Sequence, residues 1–174
     1  MRRMAVPFFL GLLFLIVQTT WLAFPLVQKV RPDLLLILTL FLGLSFPPIT
    51  GGILAFFLGY LMDLFTGNGY GLYALSRLLL FYTAQLFKDR LYLEGFSSRS
   101  LLVFFLALGE GIFILVLLKA LNPNPLRSPY LLFFTVFLPQ SFSTALLSSP
   151  VISFLRKGMT LLDPQPRADI GGRR

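Results

Sequence analysis

Six runs of apolar residues, separated by short segments that contain charged residues, proline or glycine, make up most of this chain. A helix needs about 20 apolar residues to cross the hydrocarbon core of a bilayer. The pattern therefore predicts an all-α polytopic membrane protein with about six transmembrane helices. The predicted helices cover residues 4–25, 33–46, 50–65, 71–87, 100–118 and 129–155.

The second and third predicted helices are short. At 1.5 Å per residue the second covers only about 21 Å, against a hydrocarbon core of about 30 Å. Either both helices span with the help of local bilayer thinning, or they form a re-entrant hairpin around Pro47 and Pro48. The segment between them carries no charge, so both arrangements leave all other loops on the same side of the membrane.

The ends of the chain differ in character. The run at 4–25 exceeds the roughly 7 to 15 residues of a signal-peptide core, so it predicts a first transmembrane helix, with Trp21 as an interface anchor near its outer end. Residues 88–99 are charged and are expected to form a loop, and the last helix is expected to kink near Pro139. We expect one transmembrane domain at 1–157, followed by a disordered basic tail at 158–174.

Composition excludes several classes of protein. Hydrophobic residues make up 56% of the 174 residues and charged residues only 13%, whereas a soluble domain is about a quarter charged. The net charge of +8 does not indicate nucleic-acid binding, because the basic residues lie between apolar runs and at the termini. Histidine and cysteine are both absent, and no phosphate loop or nucleophile-base pair occurs. We therefore expect neither an enzyme nor a bound cofactor or metal.

Charge asymmetry between loops predicts the orientation. With six spans, ten lysines and arginines share the side of the two termini, four lie on the other side, and Arg77 lies within the membrane. By the positive-inside rule both termini are cytoplasmic.

Three charged residues within or near the predicted spans form the first candidate site. Asp63, Arg77 and Glu110 are predicted at comparable depths, and charged groups in hydrocarbon must face protein, water or one another. We expect them to form an intramembrane polar cluster. A structural ion pair is the favoured interpretation; a face for a partner's transmembrane helix and a proton or solute pathway are the alternatives.

The second candidate site lies on the third predicted helix. Gly51, Ala55 and Gly59 recur every fourth position and form a stripe of small residues, suited to helix packing or to docking of a partner. Packing within the chain is the favoured alternative. A glycine turn follows, formed by Gly67, Gly69 and Gly71. Glycine adopts positive φ readily, so the chain is expected to reverse direction there.

The same region resembles a known family, the bacterial rod-shape-determining protein MreD. Three segments carry the resemblance: Pro32-Asp33-Leu34-Leu35-Leu36, Gly52 to Gly59 leading to Asp63-Leu64-Phe65, and Gly71-Leu72-Tyr73-Ala74-Leu75. Length, number of spans and orientation agree as well. Arg77 and Glu110 lie outside the family pattern, so the cluster is an interpretation of this chain alone.

The resemblance implies a non-enzymatic subunit of the cell-elongation machinery in the bacterial inner membrane. Its implied partners are MreC, the RodA and penicillin-binding protein 2 pair of wall-synthesis enzymes, and the MreB filament on the cytoplasmic side. We hypothesise that the small-residue stripe and the 63–71 turn hold the surface on which the MreC helix docks.

The resemblance also implies a helical arrangement like that of the S components of energy-coupling-factor transporters. The alternative function is therefore a substrate-binding subunit of a vitamin transporter. Such subunits bind their coupling partner through an alanine-x-x-x-alanine motif on the first helix. This chain has only Thr19 and Ala23 at that spacing, which favours the scaffold function. A pore-forming protein ranks last, because the first three helices have almost no polar face.

Overall fold

The computed structural model describes residues 2–20, 31–67, 71–88, 96–121 and 129–162, and within these ranges the chain is helical with no strand. The first five helices are α1 (Arg2–Thr20), α2 (Leu34–Ser45), α3 (Pro48–Thr66), α4 (Leu72–Phe87) and α5 (Phe96–Leu121). The sixth, α6, has three consecutive parts: Pro129–Leu132, a π-helical segment at Phe133–Phe137, and Leu138–Leu162. The predicted all-α class is confirmed.

Three stretches in the described ranges are long and apolar enough to cross a membrane: Pro48–Thr66, Ser98–Leu121 and Tyr130–Met159. The other apolar helical stretches, Val6–Thr20, Leu34–Ser45 and Leu72–Phe87, are shorter. The third helix is thus longer than predicted, because Pro48 occupies its first turn, where proline's missing N–H costs nothing. The count of six spans stays a prediction.

The short helix α2 lies at the centre of the molecule. A helix that is apolar on every side is suited to a position surrounded by other helices, and each residue from Leu35 to Gly43 is buried. α2 packs against all five other helices. Its last turn is tied to α4, where Gln85 Nε2 donates a hydrogen bond of 2.7 Å to the Phe46 carbonyl.

Two further helices, α5 and α6, also extend beyond their predicted ends. Residues 96–99 belong to α5 rather than to a loop, and an arginine such as Arg99 fits a helix end at the interface because its long stem lets the guanidinium reach water. α6 continues past 155 to Leu162, so Arg156 and Lys157 lie within the helix rather than after it. The first part of the tail predicted to be disordered, 158–162, is therefore helical. Trp21 and residues 163–174 lie outside the described residues.

The irregularity expected near Pro139 coincides with the π-helical segment Phe133–Phe137. Proline has no N–H to donate within a helix, and π-helical turns are one way in which a helix absorbs such a break. Hydroxyls of the same helix bond to nearby carbonyls: Ser141 Oγ donates to Phe137 O at 2.7 Å, and Thr144 Oγ1 donates to Gln140 O at 2.7 Å.

Candidate functional site

Arg77, on α4, is the centre of a buried ion network. Its side chain is fully buried, and its guanidinium bonds two carboxylates: Nη1 lies 2.9 Å from Glu110 Oε2, and Nη2 pairs with Asp33 Oδ2. Asp33 precedes α2 and Glu110 lies on α5, and both are nearly inaccessible to solvent. Arg77 thus joins α2, α4 and α5, and we call Asp33, Arg77 and Glu110 the Arg77 network.

Neutral groups complete the hydrogen bonding of the two carboxylates. Ser76 Oγ donates to Glu110 Oε1 at 2.5 Å, and the Leu36 N–H donates to Asp33 Oδ1 at 2.9 Å. All four carboxylate oxygens therefore accept at least one hydrogen bond. The Asp33 N–H donates to Thr144 Oγ1 at 2.9 Å, which attaches α6 to the network. Buried ions need such partners, because removing them from water is costly.

Asp63 does not belong to this network, so the expected Asp63, Arg77 and Glu110 cluster needs correction. Asp63 Oδ1 accepts from the Tyr73 N–H at 3.1 Å, and Oδ2 accepts from the Ala74 N–H at 2.9 Å. The first N–H groups of a helix lack partners within the helix, and the residue preceding α4 is a glycine with no side chain to cap them. The turn brings Asp63 to this position, so Asp63 caps α4.

Asp33 takes the place in the network that the sequence analysis gave to Asp63. In the sequence, Asp33 follows Pro32 at the start of the second predicted helix, where an acid complements the helix N-terminus. The structure gives it that role as well, as the N-cap of α2. One sequence signal could have indicated more. An acid beside a helix that is apolar on all sides becomes buried with that helix and then needs a cation.

The small-residue stripe is covered by α4. A Cβ added at Gly51 would lie 2.5 Å from the Phe81 ring, and one at Gly59 would lie 2.6 Å from the Tyr73 carbonyl oxygen and 2.7 Å from Ala74 Cα. Ala55, between them, is fully buried. The stripe thus packs against α4 within the chain. The hypothesis that the stripe offers a docking face for a partner is therefore corrected, because α4 occupies that face.

The glycine turn joins the two packed helices. Gly67 has φ 71° and Gly71 has φ 68°, both in the left-handed region that favours glycine. Gly69 lies outside the described residues.

A lateral crevice of about 390 Å³ runs between α4 and α5. Its walls are mostly apolar and include the half-exposed Leu79, while the buried polar residues Ser76 and Glu110 line its inner part. Gly109 also lines the crevice, and a Cβ added there would meet no atom within 4 Å. The backbone of α5 is therefore open to close approach at this point.

A second, smaller cavity of about 30 Å³ lies on the inner side of the network. Six residues with side-chain oxygens line it: Asp33, Tyr73, Glu110, Gln140, Ser141 and Thr144. Glu110 lines both this cavity and the lateral crevice. Among the described residues, no group of three or more histidines, cysteines or acids lies together as a metal site of that kind would require.

The fold and the network define an all-α membrane protein whose intramembrane charges pair with one another. A family model described as rod shape-determining protein MreD matches residues 1–158, and the chain belongs to this family. The resemblance seen in the sequence is thereby confirmed, and the family assigns the chain a role in rod-shape determination. No curated protein and no solved structure matches the chain.

Proposed function

We propose that this protein is a non-enzymatic scaffold in the cytoplasmic membrane that binds MreC and links it to lateral peptidoglycan synthesis. RodA and penicillin-binding protein 2 would belong to the same complex, and MreB would act from the cytoplasmic side. Membership in the MreD family over residues 1–158 supports this proposal. The ten-to-four distribution of basic residues favours the topology that it needs, with both termini in the cytoplasm.

The lateral crevice between α4 and α5 is the observation that carries the docking part of the proposal. Helices associate in lipid through close packing at small residues, because the hydrophobic effect does not drive them together there. Gly109 gives a partner helix such access, since within the described chain no neighbouring side chain or helix lies where its Cβ would be. The small-residue stripe of α3 gives none, because α4 covers it. We infer that the transmembrane helix of MreC docks over this crevice.

The Arg77 network suits such a surface because it holds the two walls in register. Ser76 and Arg77 of α4 both bond Glu110 of α5, with distances of 2.5 and 2.9 Å. A crevice fixed in this way is organised before binding, and binding then costs less ordering entropy. The network is in this view a structural support for the docking surface.

The test compares two glycines that both have open space around them. Gly109→Leu fills the crevice, whereas Gly158→Leu adds the same side chain on α6, where a Cβ also meets no atom within 4 Å. We expect Gly109→Leu to reduce recovery of MreC with the tagged protein about tenfold or more, equivalent to ~1.4 kcal/mol. Gly158→Leu should retain recovery and rod shape. Both variants are first checked for expression and monodisperse elution.

Two results would oppose the proposal. Normal MreC recovery with a well-folded Gly109→Leu variant would remove the crevice as the docking surface. Co-purification of ATPase coupling subunits or of a bound vitamin, with no MreC, would instead identify a transporter subunit and contradict the scaffold function itself.

A further inference from the structure

We propose that the small polar cavity beside the Arg77 network binds one sodium ion. The cavity lies between α2, α4, α5 and α6, on the opposite side of Glu110 from the lateral crevice. This inference goes beyond the proposed scaffold function and does not depend on it.

The charge of the network is the first observation. Asp33 and Glu110 carry two negative charges, and among the described residues Arg77 carries the one positive charge that both of them contact. All three side chains are at least nine-tenths buried, where an unbalanced charge is costly. The N-terminus of α2 offsets part of the charge on Asp33, because Asp33 caps it. Glu110 lies in the middle of α5, away from both ends of its own helix, and caps no helix in the described ranges.

The orientation of the hydroxyl groups is the second observation, and it is independent of the acids. Ser141 donates its hydrogen to the Phe137 carbonyl, and Thr144 donates its hydrogen to the Gln140 carbonyl. Each hydroxyl has only one hydrogen, so what the two groups offer to any further ligand is oxygen lone pairs. Thr144 Oγ1 uses one of its lone pairs for the Asp33 N–H, and Ser141 accepts no hydrogen bond among the described residues. A cavity that presents lone pairs favours a cation.

Size and ligand type indicate which cation. The cavity of about 30 Å³ exceeds the ~10–15 Å³ that one water-sized occupant needs, but leaves no room for a full hydration shell. The polar residues of its lining carry carboxylate, hydroxyl and amide oxygens, the ligands that hard cations prefer. A single excess negative charge matches a monovalent ion. Na⁺ satisfies the conditions of size, ligand type and charge. Transporters also bind it within the membrane in comparable oxygen sites.

The test is equilibrium dialysis of the purified full-length protein in detergent against radiolabelled sodium, with choline chloride keeping the ionic strength constant. We expect saturable binding of about one ion per chain, as the single excess charge implies. Excess K⁺ should compete weakly because it is larger. A parallel thermal-unfolding series should show Tm rising with NaCl and not with choline chloride, because a ligand that binds only the folded state stabilises it.

Two cavity variants and one matched control complete the design. Gln140→Ala and Ser141→Ala each remove one lining oxygen and should weaken sodium binding by about tenfold, equivalent to ~1.4 kcal/mol. Ser143→Ala removes a hydroxyl from the same helix, outside the lining of the cavity, and should bind as the unmodified protein does. Gln140→Ala carries the comparison if Ser141→Ala fails to fold, because no hydrogen bond between helices depends on Gln140 in the described chain.

The proposal is overturned if the folded protein binds no sodium above the choline background, since the cavity would then hold water only. It is also overturned if acidification stabilises the protein while sodium does not, because a proton would then balance the charge. Equal binding by Gln140→Ala, Ser141→Ala and Ser143→Ala would place any bound sodium elsewhere and overturn it as well.

Discussion

Arg77 is the residue on which the interior depends most. It has the only positive charge in the Arg77 network, and its guanidinium contacts carboxylates from two other helices. Breaking a buried ion pair by removing one partner is much more costly than replacing the whole group by apolar residues, because the remaining charge stays buried without compensation. The network therefore stabilises the protein only when all three charged residues are present.

Arg77→Ala should destabilise the protein strongly, by about 3–5 kcal/mol, because two carboxylates are left facing each other in the interior. Thermal unfolding in detergent, followed by fluorescence, measures the effect. The combined change Asp33→Asn, Arg77→Leu and Glu110→Gln removes all three charges and should recover much of the loss. Wild-type stability for Arg77→Ala alone would show that the network contributes little.

Two glycines of similar sequence context should respond in opposite ways to alanine. At Gly59 the new Cβ would lie 2.6 Å from the Tyr73 carbonyl oxygen, and backbone cannot yield as a flexible side chain can. At Gly109 it meets nothing within 4 Å, and alanine gains about 0.5–1 kcal/mol of helix stability over glycine. Gly59→Ala should therefore lower Tm while Gly109→Ala keeps or raises it. Equal effects of the two changes would contradict the packing described for α3 and α4.

At the scale of elements, the helices were predictable and their facing directions were not. Runs of apolar residues identified all six helices, because helical hydrogen bonding is obligatory for backbone in lipid. Predicting which face of a helix points to the interior requires an amphipathic sequence. α2 is not amphipathic, and every residue from Leu35 to Gly43 is buried. A helix without a polar face gives no rotational signal. The apolar runs therefore predicted which helices carry the acids but not which acid contacts Arg77.

The exchange of roles between Asp33 and Asp63 follows from this limit. Both acids lie near helix ends, but only Asp63 was predicted to join Arg77 in a cluster. The α3–α4 turn determines the outcome, because it holds Asp63 within 3.1 Å of the Tyr73 N–H and within 2.9 Å of the Ala74 N–H. The packing of α2 against α4 then places Asp33 in contact with Arg77. Neither distance could be obtained from spacing along the chain.

Asp63→Ala should loosen the start of α4, because two backbone N–H groups lose their acceptor. The expected cost is about 0.5–2 kcal/mol, the range for removing a capping side chain. Hydrogen exchange should become faster at Tyr73 and Ala74 and stay unchanged in the middle of α5. Asp63→Asn keeps one acceptor and should show a smaller effect. Unchanged exchange at Tyr73 and Ala74 would contradict the capping role.

At the scale of the whole molecule, the described chain has a buried centre, with one small polar cavity beside the Arg77 network, and a lateral opening. α2 and the Arg77 network fill the interior, and the α3–α4 pair covers its own small-residue stripe. Small residues in a membrane helix predicted close packing correctly, but they did not indicate whether the neighbour is the same chain or another. The crevice between α4 and α5 had no sequence signal beyond Gly109, since its walls are ordinary lipid-facing residues.

Photo-crosslinking to MreC tests the central claim, that the crevice between α4 and α5 is the docking surface, most directly. A photoreactive residue is introduced at Leu79 or Phe113, which line the crevice, and in parallel at Phe56, which is exposed on α3. We expect crosslinks to the transmembrane helix of MreC from Leu79 and Phe113 and none from Phe56. Crosslinks from Phe56, with none from the two crevice positions, would contradict it.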